Sequence, residues 1–122
     1  MTQEDKELLL RDLCARLSYG IKASYYGVEE ERETWDVIEG ITLDGYVDIG
    51  QYSLPIEGIK PYLFPLSSMT EEQKSQYNFY LTRIVFAYDA SLLIDWLNKN
   101  HFDYRGLIEK GLAIDATGLN IY

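Results

Sequence analysis

A chain of 122 residues is the usual size for one folding unit and can bury about two thirds of its unfolded surface. Hydrophobic residues at 47% and charged residues at 25% are globular proportions, which excludes disorder over the body of the chain. A net charge of -9 disfavours direct contact with nucleic acid or anionic lipid, and the single cysteine, Cys14, excludes an internal disulfide.

The charge is regional. Residues 1–57 hold 13 acids against 5 bases, whereas residues 58–122 hold 7 against 6. Between residues 29 and 48, eight acids (Glu29, Glu30, Glu31, Glu33, Asp36, Glu39, Asp44, Asp48) face Arg32 alone, a net of -7. Glu4, Asp5 and Glu7 stand where a signal peptide would need an apolar run, and the apolar stretches at 84–87 and 92–94 are far shorter than the roughly 20 residues of a membrane span. The expectation is a cytoplasmic protein with no membrane contact.

The first predicted element is a helix from Thr2, as N-cap with Asp5 three positions on, to about Leu17. Leu9, Leu10, Leu13, Cys14 and Leu17 read as its apolar stripe, which would bury Cys14 as an inert thiol. Glu7 with Arg11 and Asp12 with Arg16 read as i,i+4 ion pairs on the outer face, and Gly20 as the left-handed stop.

Residues 19–66 turn β-rich, with predicted strands at 21–26, 35–42 and 46–52. A two-residue Asp44-Gly45 loop would split the apolar side chains between faces; a three-residue loop, Leu43 to Gly45, pairs Ile41 with Val47 and Glu39 with Ile49 and gathers Val37, Ile41, Val47 and Ile49 on one face. The second register is preferred. Pro55, Pro61 and Pro65 argue against a central strand in 54–65, so this segment is expected to close a small SH3-like barrel, with Ile59, Leu63 and Phe64 joining it to the helices.

Thr70-Glu71-Glu72-Gln73 is a capping box that starts a helix at Glu71. The helix is expected to run to about Asn78 and to give way to a strand over 80–87, where strand formers are dense. Asp89 or Ser91 then caps a helix through Asn98, with Leu92, Leu93, Trp96 and Leu97 inward, and Asn100 stops it. Asp103 reads as the N-cap of a last helix, 104–110, closed by left-handed Gly111 with Leu112 against Leu107. Residues 115–122 read as a loosely ordered tail. The fold class is therefore α+β in a single domain, 1–122: an N-terminal helix (1–18), a small antiparallel SH3-like sheet or barrel (19–66), a mainly helical segment (67–114) and the tail.

The segments MTQEDKELLLRDLCARL, IKPYLFPLSSMTEEQ and DWLNKNHFDYRGLIEKGLAIDA resemble a family of short proteins of unknown function from gut bacteria, their prophages and mobile elements. The resemblance covers about half of the chain, is most specific at residues 95–113, and implies a small intracellular accessory protein. It carries no functional residues over.

One histidine, no glycine-rich phosphate loop and no metal-ligand spacing leave few parts for an active site, and no cofactor or metal is expected. His101, Asp103, Arg105 and Asp95 are the catalytic candidates, yet helix ends account for each position; Arg105 is expected to reach Asp103 or the carboxylates of 29–48, and His101, after a helix C-terminus, to favour its protonated form. Eleven tyrosines exceed what one core accommodates, so several should reach the surface. The favoured expectation is a non-enzymatic interaction or inhibitor module with a protein partner, a basic one in particular, bound by Glu29, Glu30, Glu31, Glu33, Asp36, Asp44, Asp48, Tyr25 and Tyr26. Self-association is compatible with this. The competing expectations are a small-molecule or nucleotide-binding protein or enzyme with a cleft near His101, and a structural component of a larger assembly.

Overall fold

In the computed structural model, which describes residues 1–122, the chain opens with helix α1 (Gln3–Arg16). Its start is the predicted capping box: Thr2 Oγ1 accepts from Asp5 N–H at 3.1 Å, and the Asp5 carboxylate accepts from Thr2 N–H at 3.3 Å. A 3-10 turn (Leu17–Tyr19) and Gly20, at φ 71°, end it.

The inward face of α1 differs from the predicted stripe. Leu9, Asp12, Leu13 and Arg16 are buried and Cys14 is exposed. Those four fall at i, i+3, i+4 and i+7, the spacing of a single helical face, so the acid and base expected in water occupy core positions and the thiol rotates outward. Arg16 donates to Asp12 at 2.9 Å and to Phe102 O at 2.6 Å, and Arg105 reaches the other Asp12 oxygen at 3.0 Å rather than Asp103 or the acidic segment.

Seven strands follow: β1 (Lys22–Gly27), β2 (Arg32–Ile41), β3 (Tyr46–Ile49), β4 (Tyr52–Pro55), β5 (Lys60–Pro65), β6 (Phe102–Asp103) and β7 (Ile114–Asp115). Their order is β4-β3-β2-β1-β5-β6, with β7 also on β5; β1 to β4 form an antiparallel meander, and β6 and β7 add in parallel. β4 and β6 are the two ends of this order, so the sheet is open rather than closed on itself.

The three-residue loop is present, with Ile41 opposite Val47 and Gly45 at φ 86°. A bulge at Glu39 then brings Ile38, not Glu39, opposite Ile49, which makes Ile38 the buried residue of β2. The predicted third strand is a hairpin: Ile49 pairs with Tyr52 across Gly50-Gln51, and Gly50 takes φ 59°. A Cβ on Gly50 would stand 2.5 Å from the Tyr25 hydroxyl, so both φ and space require glycine there.

The prolines do not keep β5 out of the sheet. β5 pairs with β1 at Lys60 and Pro61 and then changes neighbours, with Tyr62 and Leu63 beside β7 and Phe64 and Pro65 beside β6. Ladder bonds in that second half come from non-proline groups: Phe64 N–H donates to His101 O at 2.8 Å and Leu63 O accepts from Ala116 N–H at 2.9 Å.

α2 (Glu71–Leu81) begins at the predicted Thr70–Gln73 capping box, and α3 (Ala87–Lys99) ends at Asn100. Between them residues 82–86 form a turn instead of a strand. The Thr82 hydroxyl donates back to Asn78 O, and Asp89 takes the N–H groups of Val85 and Phe86 at 3.1 and 3.0 Å, so strand-forming side chains are used with no sheet edge beside them. Leu93 and Leu97 turn inward as expected, Trp96 is half-buried and Leu92 is exposed.

No helix forms over 104–110. Asp103 lies in β6, its carboxylate accepts from Leu107 and Ile108 N–H at 3.0 and 2.9 Å, and Gly106 at φ 74° interrupts any helical turn. The stop is as read: Gly111 takes φ 73° and Leu112 N–H donates to Leu107 O at 2.9 Å. The tail is anchored rather than loose, with Ala116 and Ile121 buried and the Tyr122 hydroxyl donating to Tyr62 O at 2.8 Å while accepting from Lys22 N–H at 3.0 Å.

The main core lies between α1 and the sheet, with Leu9, Leu13, Ile21, Val47, Ile49, Ile59, Leu63 and Leu107 fully buried. A smaller cluster of Met69, Leu93, Leu97 and Phe102 joins the helices to β6, where Trp96 stacks on Phe102 at 5.7 Å. Asp12 stands between two arginines with no exposure, so Asp12→Ala strands a buried cation and should cost about 3–5 kcal/mol. Glu71→Ala, which removes the exposed pair with Lys74, should cost less than about 1 kcal/mol. Urea midpoints of the two variants test the contrast, and similar midpoints would refute it.

Candidate functional site

The turn between β1 and β2 and the turn between β3 and β4 lie side by side at one end of the sheet. Glu29 N–H donates to the Tyr52 hydroxyl at 3.0 Å, Gln51 Nε2 donates to the Glu29 carboxylate at 2.8 Å, and the Tyr52 hydroxyl donates to the Glu30 carboxylate at 2.9 Å. Glu31 sits at the tip with φ 57°. Gln51 and Tyr52 therefore hold Glu29 and Glu30 in fixed positions, with their remaining oxygens exposed.

Alternation along β1 and β2 sorts the other residues. Lys22, Ser24 and Tyr26 face outward opposite Val37, Trp35 and Glu33, and the Ser24 hydroxyl donates to Glu33 at 3.3 Å. Tyr26 and Trp35 are 52% and 44% exposed. Trp35 was not among the sequence-derived surface residues, although the same alternation that exposes Tyr26 carries it outward. The Lys22 ammonium lies 5.1 Å from the Trp35 ring centroid and 5.5 Å from that of Tyr122.

Of the predicted surface residues, Glu29, Glu30, Glu31, Glu33 and Tyr26 gather at this end, whereas Asp36, opposite Ala23, lies on the other face of β2 beside Tyr25 and Gly50. Tyr25 does not belong to the surface: it is buried, its ring meets Tyr52 edge-on at 5.8 Å, and burial, then Glu30 and Asp36, push its pKa up. Asp44 sits in the β2–β3 loop at the opposite end of β2, a ten-residue strand and so roughly 30 Å away. Asp48 is half-buried on β3 opposite Gly40 and Ser53.

The catalytic candidates are dispersed by the fold. Asp95 is exposed on α3, Asp103 is occupied by two backbone N–H groups, and Arg105 is paired with Asp12. His101 follows Asn100 at φ 61°, stacks on Tyr122 with ring centroids 3.7 Å apart, and has a buried Nδ1 with no hydrogen-bond partner. Burial, then the charges of Arg16 and Lys22, lower its pKa to about 4. The imidazole is thus neutral near pH 7, opposite to what its place after a helix end implies. A cleft of about 420 Å³ adjoins it, lined among others by Thr70, Gln73, Lys99, Asn100 and Tyr122.

A base whose folded pKa is lowered opposes folding wherever the unfolded chain binds its proton first. Between the ordinary value of 6.5 and about 4, stability should therefore fall as pH falls, and level off below that window. The ring is partly open to solvent, so the loss should be on the order of 1–2 kcal/mol. His101→Asn, which tolerates the left-handed backbone, should flatten this part of a denaturation-versus-pH curve. An unchanged slope would show that His101 is not the group responsible.

No protein-family model, no curated protein and no solved structure matches this chain.

Proposed function

We propose that the protein acts by binding another protein, using the acidic turn and the outward face of β1 and β2 against a basic surface. The observation that carries this reading is the convergence of Glu29, Glu30, Glu31 and Glu33, opposed by Arg32 alone, beside the exposed rings of Tyr26 and Trp35. The carboxylates attract and orient a basic partner, while the two rings offer the apolar anchors on which binding energy concentrates. Gln51 and Tyr52 hold Glu29 and Glu30 in advance, which lowers the entropy lost on association.

Two further observations support the reading. The β1–β4 meander, followed by a 3-10 turn at Ile56–Gly58 and by β5 returning beside β1, is consistent with an open SH3-like sheet over residues 19–66. The resemblance of residues 95–113 to short proteins of gut bacteria and their mobile elements fits a cytoplasmic accessory or inhibitor role. The cleft beside His101 is the weaker candidate, because Thr70 and Gln73 on its wall are engaged in the α2 capping box and Tyr122 covers the imidazole.

Replacing Glu29, Glu30, Glu31 and Glu33 together by Gln should leave the fold intact. Association with a partner captured from the native cell should slow at least about tenfold at low ionic strength, and much less in salt that screens the wild type. Trp35→Ala should instead speed dissociation. Equal association rates for wild type and the Gln variant at low salt would remove this surface from consideration.

A further inference from the structure

We propose that the tip of the α2–α3 hairpin is a self-association surface, on which a second copy of this chain packs about a two-fold axis. α2 contributes no buried side chain; Tyr77 and Tyr80 lean on Trp96 of α3, with centroids 6.5 and 6.1 Å apart, and the rest of the helix faces outward. A helix with so little packing is marginal in water unless something covers it.

The apolar side chains that need covering are contiguous. Phe79 and Leu81 at the end of α2, Ile84, Val85 and Phe86 in the turn, and Tyr88 at the start of α3 are all exposed, the last three at 76%, 74% and 72%. Together they offer roughly 650 Å² of surface, most of the ~800 Å² that each partner contributes to a standard interface and at the upper end of the largest patch of a monomer.

Charge selects the occupant. Between residues 77 and 94 the chain carries one cation, Arg83, and one anion, Asp89, in a protein whose net charge is -9. A basic partner would find one carboxylate here and an acidic partner one guanidinium, whereas a second copy presents the complement of both. Arg83 makes no ion pair within its own chain; it lies over the Phe79 ring at 3.7 Å and donates to Phe79 O at 3.2 Å. Asp89 holds the Val85 and Phe86 N–H groups with one oxygen and keeps the other for an ion pair, so that about a two-fold axis between the tips Arg83 of one copy is the cation available to Asp89 of the other, and one patch serves both sides. The surface of residues 29–48, with its net of -7, would repel its own copy instead. This surface is separate from the acidic turn and does not depend on the role given to that turn.

Sedimentation equilibrium of the full chain from about 1 to 200 μM should show a monomer passing to a dimer. Phe86→Glu and Val85→Asp should each raise the dissociation midpoint at least about tenfold while far-UV circular dichroism is unchanged. Arg83→Asp should raise it in low salt, an independent reading because it keeps every apolar side chain, and Trp35→Glu should leave it where it was. A wild type monomeric over the whole range would overturn the proposal, whatever else covers the tip, as would a dimer that survives both Phe86→Glu and Val85→Asp.

Discussion

One buried ionic group, Asp12 between Arg16 and Arg105, is the constraint on which the rest of the structure depends. Its three side chains come from positions up to 93 residues apart, and Arg16 also donates to Phe102 O in β6. Through it the first helix is tied to the strand that opens the last segment, at the junction between the main core and the smaller cluster around Phe102. Desolvating three charges is expensive, and apolar replacements of similar volume for such groups are often as stable or more so. What the ions contribute is position: two oxygens and two guanidinium groups fit in one arrangement, so α1 cannot slide along the sheet as a leucine face could. Tyr104 completes the arrangement, with its ring 5.1 Å from the Arg16 guanidinium and 4.8 Å from that of Arg105.

The same ions set the character of the His101 region. Arg16 and Arg105 share Asp12, and one nitrogen of Arg16 has no hydrogen-bond partner. Burial of the ring, and after it the repulsion of Arg16 and Lys22, keep the imidazole neutral, and it accepts an aromatic cover instead of a carboxylate. Tyr122 supplies that cover while its hydroxyl fastens the final residues to Lys22 and Tyr62. A polar-looking cluster in the sequence thus becomes part of the folding apparatus.

How much of this was legible depends on the range of the interaction. Both capping boxes, the left-handed glycines at 20, 45 and 111, and the pairing of Ile41 with Val47 are local or nearly so, and were read correctly. Asp12 and Arg16 have the same i,i+4 spacing whether they face water or the core; what buries them is Phe102 and Arg105, which no local pattern announces. Cys14 was misplaced with them, because taking leucines as the stripe rotates the helix away from its true inward face. Gly50-Gln51 did carry a hairpin signal, a glycine before a polar residue between apolar runs, that the longer strand reading absorbed. Residues 82–86 show the opposite failure: β-branched and aromatic side chains promise a strand, but a strand needs an edge to join, and the β5 edge is taken by β6 and β7. Of the candidate surface, the turn acids were placed together by their closeness in sequence, while Asp44 was separated by the length of β2 and Tyr25 turned inward by alternation.

The placement of the two outward-facing surfaces follows from the direction of β5. It meets β1 at Ser24 and Ala23 and runs away from the β1–β2 turn, toward α2, α3 and β6. The acidic turn therefore lies toward one end of the sheet, and the bases of α2 and α3, at Thr70 and Asn100 beside Phe64, lie toward the other. Were the acids of residues 29–33 beside the tip, pairing two tips would bring like charges together and oppose itself at low ionic strength. The two proposals use different residues of the chain, so two turns linked by the proposed pairing would engage a partner with paired basic sites more tightly than either alone, without any new contact in the single chain.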